Sequence, residues 1–226
     1  MPQLFTPAAN TLARVSILGA AFLGLGVVGG SYALQTSPYV TKVRVVQPQP
    51  VQFSHEHHVS GLGIDCRYCH SSVESSSAAG VPPTYTCMSC HSQIWTNAPI
   101  LEPVRASLRE GEPVTWNRVH DLPDFVYFNH SIHVNKGVGC VSCHGQLDKM
   151  PMVYKAEPHT MGWCLECHRN PEERVRPTSE VFNMTYDPRD FLEKFGVKNV
   201  GELGQKLMEQ NHIQKAGLDQ CSVCHR

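Results

Sequence analysis

No cysteine in this chain stands alone. The 10 cysteines among 226 residues fall into five C-x-x-C pairs. No thiol is left over for a disulfide, a catalytic nucleophile or a lipid anchor at the amino terminus. Charge of one sign is also missing. With 19 Lys and Arg against 20 Asp and Glu the formal net charge is −1, so no overall basic field exists to hold nucleic acid. No low-complexity tract interrupts the chain.

What is present is a histidine directly after every pair. The runs CRYCH, CMSCH, CVSCH, CLECH and CSVCH begin at Cys66, Cys87, Cys140, Cys164 and Cys221. Each is C-x-x-C-H, the attachment signature of a c-type haem. Two thiols at this spacing reach the two vinyl groups of one porphyrin, and the adjacent imidazole becomes the proximal iron ligand. The expected thioether residues are Cys66, Cys69, Cys87, Cys90, Cys140, Cys143, Cys164, Cys167, Cys221 and Cys224; the expected proximal ligands are His70, His91, His144, His168 and His225. Paired C-x-x-C also binds zinc. Histidine is only 13 of 226 residues, however, and finding it at all five following positions by chance has a frequency of ~10⁻⁶. The sequence therefore predicts five covalently bound haem c groups.

Five haems leave about 45 residues of chain for each, too few for an ordinary layered core. The expected fold class is a multihaem cytochrome c: mostly irregular chain with short α-helices wrapped around five haems, little strand, and one N-terminal transmembrane helix. The 16 Pro and 17 Gly suit that description.

The anchor is residues 15–34, VSILGAAFLGLGVVGGSYAL, twenty residues without a charge. At 1.5 Å per residue they span about 30 Å, the hydrocarbon thickness of a bilayer. The run exceeds the apolar core of an ordinary signal peptide, so an uncleaved span is expected. Gly19, Gly26 and Gly30 share a face that suits close approach of another helix. Haem attachment of this kind takes place outside the bacterial cytoplasmic membrane. The expected topology is thus single-pass in the inner membrane, with the amino terminus inside and the haem domain periplasmic.

Boundaries follow from repeats and punctuation. Residues 1–35 form the anchor, and 36–52 an extended linker marked by Pro38, Pro48 and Pro50. Residues 53–97 form a first dihaem module, 98–127 a connector with a short helix at 100–111, and 128–170 a second dihaem module. Residues 171–226 carry the fifth haem, with loop to residue 189 and short helices at 190–195 and 201–211. The helix at 100–111 is expected to bury Leu101, Val104 and Leu108. The modules share F-x-H-x-x-H-V, then G-x-G, then an attachment site: Phe53, His55, His58, Gly61 and Gly63 in one, Phe128, His130, His133, Gly137 and Gly139 in the other.

Two imidazoles at i and i+3 project from one side of a helical turn and can serve two neighbouring irons. His55, His58, His130 and His133 are therefore expected as distal ligands. His120, alone between the modules in an apolar stretch, is expected as the fifth, with Met161 and His159 as alternatives; a Met ligand would raise that haem's potential. His57 and His212 are not expected to ligate. Arg169 and Arg226 each follow a proximal histidine and either pair with haem propionates or stand in solvent.

The F-x-H-x-x-H element before C-x-x-C-H resembles the cytochrome c3/c7 class. The whole chain resembles the membrane-anchored pentahaem cytochrome c subunits of bacterial alternative complex III. That likeness rests on one span, five sites, the stretch WNRVHDLPDFVYFNHSIHVNKGVGCVSCHG from Trp116, TMGWCLECHR from Thr160 and a terminal CSVCHR. It implies that a separate polytopic subunit oxidises menaquinol, that an iron–sulfur subunit passes the electrons on, and that this chain relays them along the periplasmic face. A monohaem cytochrome c or a terminal oxidase would receive them. No catalytic site of its own is expected. The competing reading is a stand-alone, membrane-anchored multihaem quinol dehydrogenase feeding periplasmic reductases; the 31 residues between Leu34 and Cys66 argue against a first haem at the membrane surface. A pentahaem nitrite reductase would carry Lys as the proximal ligand of its catalytic haem, and all five sites here end in His.

Overall fold

A computed structural model of the chain describes residues 6–225, so Arg226 lies outside the described residues. The chain divides into two units, Met1–Val43 and Arg44–Arg226.

The first unit is helical. Helix α1 (Pro7–Thr36) starts with proline at its first position and ends where Ser37 turns extended and its N–H donates to the Leu34 carbonyl. None of its residues is buried. Its 30 residues rise about 45 Å, longer than the predicted span and enough to cross a bilayer with room to tilt. A Cβ added at Gly19, Gly26 or Gly30 would meet nothing within 4 Å, so that face is open. A single turn, α2 (Pro38–Thr41), closes the unit at Lys42, which takes a left-handed conformation.

The second unit contains short helices separated by loops. These are α3 (Cys66–Cys69), α4 (Thr84–His91), α5 (Glu102–Glu110), α6 (His130–Asn135), α7 (Cys140–His144), α8 (Met161–Arg169), α9 (Leu192–Phe195), α10 (Val200–Gln210) and α11 (Cys221–Cys224). A π-helical turn at Glu56–Gly61 and several 3₁₀ turns fill the gaps. Among the described residues the only β pairing is two isolated antiparallel bridges, Val46 with Tyr154 and Val138 with Val175. Residues 44–50, part of the expected extended linker, make hydrogen bonds within this unit. The Arg44 N–H donates to the Lys155 carbonyl at 2.8 Å, and Asn117 Nδ2 donates to the Pro48 carbonyl at 2.6 Å.

The apolar core is three small clusters rather than one. Val175, Leu203, Leu207 and Met208 hold α10 against the chain that follows α8. Val51, Leu101 and Val104 hold α5 against Cys87 and Met88 of α4. Val73, Val134 and Val181 join the two modules.

Helix α5 shows how the predicted face shifts. A 3₁₀ turn at Pro99–Leu101 precedes it, and the α-helix restarts at Glu102 with proline next. Leu101 and Val104 are buried as expected, but Ser107 takes the third place and Leu108 is left 49% exposed. Ser107 tolerates burial because its Oγ bonds to Thr84 Oγ1 at 2.6 Å and donates to the Glu112 carbonyl at 2.5 Å. The expected helix at 190–195 is likewise split, into a 3₁₀ turn at Pro188–Phe191 and α9.

Helix α10 matches the expected 201–211 within one residue at each end, for a local reason. The Asn199 side chain accepts the Glu202 N–H at 2.9 Å, and Glu202 Oε2 reaches back to accept the Lys198 N–H at 2.8 Å. This is a reciprocal cap that satisfies two orphan donors. Asn199→Ala is expected to cost about 1 kcal/mol, read as a lower denaturant midpoint at unchanged slope.

Candidate haem sites

Each attachment motif lies on a helical turn, where residues i and i+3 share a face, so both sulfurs of a pair point the same way. Local caps set these turns: Asp65 Oδ1 accepts the Arg67 N–H at 2.8 Å to start α3, and Thr160 caps α8. Burial pushes the Cys143 thiol up to about 12 and Cys140 up to about 11. It raises Cys66, Cys69, Cys87, Cys164 and Cys167 as well. A C-x-x-C pair built for thiol–disulfide exchange has a thiol pulled down; these seven are held protonated. Among the described residues no three or more His, Cys, Asp or Glu side chains converge as a bare metal ion would need.

The imidazoles are oriented one by one. Among the proximal rings, Nδ1–H of His70 donates to the Gly80 carbonyl at 2.7 Å, His91 to Ile94 at 3.1 Å, His168 to Leu218 at 2.7 Å and His225 to Phe125 at 3.0 Å. Among the distal candidates, His58 donates to Ser54 at 2.8 Å, His130 to Ser77 at 2.9 Å and His133 to Asn129 at 2.8 Å. A carbonyl can only accept, so Nδ1 carries the donated proton in each ring, and the neutral tautomer with that proton keeps its Nε2 lone pair for a metal.

Proximal and distal rings come in pairs. Ring centres are 6.3 Å apart for His58 and His91, 6.3 Å for His130 and His144, and 6.2 Å for His133 and His168. An imidazole nitrogen sits about 2 Å from a metal it binds and about 1.1 Å from its own ring centre, so two rings across one iron have centres about 6.2 Å apart. These three pairs meet that spacing; His144 and His159 come close to it at 6.4 Å, but His159 gives its Nε2–H to the Cys143 carbonyl. His55 lies near His70; burial first, and then the charges of His70 and His58, bring it down to about 4. It is therefore neutral at pH 7, as a ligand must be. Its buried Nδ1 has no partner.

Both F-x-H-x-x-H turns are built alike around their phenylalanine. Phe53 meets His55 edge-on at 4.9 Å and stacks on His58 at 4.3 Å. Phe128 meets His130 edge-on at 4.7 Å and stacks on His133 at 4.5 Å. Phe53 and Phe128 thus set the tilt of both rings in a pair. In the sequence they mark the repeat, and their recurrence two residues before the first histidine is the signal for this role.

His120 sits at the third site. Its Nε2 lies 3.3 Å from Nδ1 of His144, with ring centres 4.4 Å apart. His159 joins this group, 5.6 Å from His120 and 5.0 Å from Trp163, and its Nε2–H donates to the Cys143 carbonyl at 3.0 Å. The His225 ring instead lies against Phe125, with centres 5.8 Å apart. Met161 opens α8 on the same face as Cys164 and is 65% exposed. Cys164 lies close enough to Cys224 to feel its charge. His57 is exposed, and the His212 carbonyl accepts from Lys136 Nζ at 3.3 Å. Arg169 pairs with Asp219 at 3.7 Å.

Pairs of imidazoles at iron-spanning distance, each with one ring from a C-x-x-C-H turn, suit a multihaem c-type cytochrome. No family profile matches the chain. Over 191 residues, 73% of this chain, it is 32% identical to a Nitratidesulfovibrio vulgaris protein, covering 89% of that protein. That relative is the multihaem cytochrome c subunit of a menaquinone reductase. The chain belongs to the same family of multihaem cytochrome c subunits and binds haem c covalently.

Proposed function

We propose that the chain carries five haem c groups and relays electrons on the periplasmic face, as one subunit of a menaquinol-oxidising complex of the alternative complex III kind. The observation that carries this reading is the set of three imidazole pairs at 6.2–6.3 Å. Bound haem c supplies one-electron chemistry at a potential set by axial ligand, burial and nearby charge. The protein's own work is to hold rings, exclude water and fix spacing. His55 opposes His70, His58 opposes His91, His130 opposes His144 and His133 opposes His168. His120 lies beside His144, and the distal place opposite His225 is given to Met161.

With two protein ligands at every site, no coordination position is open to a substrate, so quinol chemistry belongs to a partner. An iron–sulfur and polytopic quinol module donates, and a monohaem cytochrome c or terminal oxidase accepts. Helix α1 anchors the chain with its amino terminus inside, and its open glycine face meets a helix of the polytopic subunit. A second reading runs the current the other way, into menaquinone, and is favoured by the name of the relative.

The full-length protein, solubilised from its native membrane, tests this. Expected are a mass of the chain plus five haems, several membrane subunits in the same particle, and haem reduction by menaquinol in that particle but not by the isolated chain. Reduction of menaquinone driven by a reduced soluble cytochrome would select the reverse direction. Rapid quinol oxidation by the isolated chain would replace the proposal with an anchored quinol dehydrogenase.

A further inference from the structure

We infer that the five attachment sites follow one another in space in the order second, first, third, fourth, fifth, so that the sites at His91 and His225 are the two ends of the relay. This rests on the reading that every site carries a haem.

Direct contacts fix each step. The first and second motifs touch through Tyr68 and Ser89, Oη to Oγ at 3.0 Å, and their distal rings His55 and His58 come from one turn. Only then does the route cross to the other module, and it crosses at the first site. Val73, three residues past His70, is buried against Val134 and Val181, with Cys140 packed on the same cluster. Ser77 and Ser76, in the same loop, accept the backbone N–H groups of His130 and Ser131, both at 3.1 Å. Asn135 Nδ2 donates to the Glu74 carbonyl at 2.9 Å.

The second motif faces elsewhere: Cys87 and Met88 pack on Val51, Leu101 and Val104. The third and fourth sites share α6, whose His130 and His133 face His144 and His168. The fourth and fifth meet where His168 donates to the Leu218 carbonyl and Arg169 pairs with Asp219.

Chain order would make the first site an end; the contacts make it an internal junction. Two variants of the full-length holoprotein separate these. Each also carries Lys215→Cys, labelled with a ruthenium photosensitiser beside the fifth site, and each is weighed to show four haems where its labelled parent shows five. Removing the first site (C66A/C69A) should strand the second, so that a light pulse reduces three of the four remaining haems in the fast phase. Removing the second (C87A/C90A) should trim an end and leave all four reducible.

The reverse pattern, or four in both variants, overturns the order while leaving the five-haem reading intact. A parent with fewer than five haems overturns that reading and this one with it. If either double variant loses more than one haem, His70→Met and His91→Met keep every covalent attachment. The raised potential at His70 should delay reduction of the site at His91, whereas His91→Met should delay no other site. A delay caused by His91→Met instead overturns the order.

Discussion

On the proposed five-haem reading, replacing His133 by alanine should leave all five covalent attachments in place and convert one site in five from six-coordinate low-spin to a form that binds carbon monoxide. The reason is geometric. His133 is oriented by a 2.8 Å bond from its Nδ1–H to the Asn129 carbonyl and by stacking on Phe128 at 4.5 Å, and its ring centre stands 6.2 Å from that of His168. Once it is removed, only His168 remains to bind that iron, and alanine offers no ligand. The thioether residues Cys164 and Cys167 are untouched, so mass and total haem should not change. Electron paramagnetic resonance should lose one low-spin signal, and the visible spectrum should gain a carbon monoxide difference band of one-fifth the maximal size. His57→Ala, at an exposed ring in the neighbouring turn's sequence, should do neither. An unchanged spectrum in the His133 variant would remove it from the ligand set.

Leu203→Ala should cost about 2–5 kcal/mol, the range for emptying a leucine site in a packed core. Leu203 and Leu207 are each only 1% exposed, and Val175 and Met208 complete their cluster. Phe191, Leu192, Phe195, Val197 and Ile213 wall it in, so little can collapse into the cavity. Gly204 forces close packing on the opposite side, since a Cβ there would overlap the Glu172 carbonyl. The cluster joins α10 to the turn after α8, and the next segment presents the Leu218 carbonyl to His168. Thermal unfolding should begin earlier in this variant than in the parent, with the carboxyl-terminal site exposed first. Leu108→Ala, at a position 49% exposed, should change stability by no more than about 0.5 kcal/mol.

The sites were more legible in the sequence than the helices that carry them. Haem attachment needs two thiols and an imidazole at fixed spacing, and local spacing is what a sequence displays. The i, i+3 histidines stand out for the same reason. His120 has no such spacing around it: its place beside His144 depends on long-range packing, and an apolar neighbourhood fits a ligand and a neighbour of a ligand equally well. The two G-x-G runs were matched in order, Gly61 with Gly137 and Gly63 with Gly139. The backbone pairs them differently. Gly63 and Gly137, each three residues before a first cysteine, are the ones with φ of +68° and +82°, a conformation glycine adopts without penalty.

The two equivalent turns also differ in kind, since Glu56–Gly61 is π-helical where α6 is α-helical. The buried Arg176, which donates to the carbonyls of Glu180 and Asn183, had no signal at all in the local pattern.

Because one phenylalanine touches both histidines of a turn, neither ring can tilt far without pressing on it. Tunnelling rates fall exponentially with gap, so in a unit held by short helices and three small clusters that shared contact should keep the spacing of neighbouring haems from drifting.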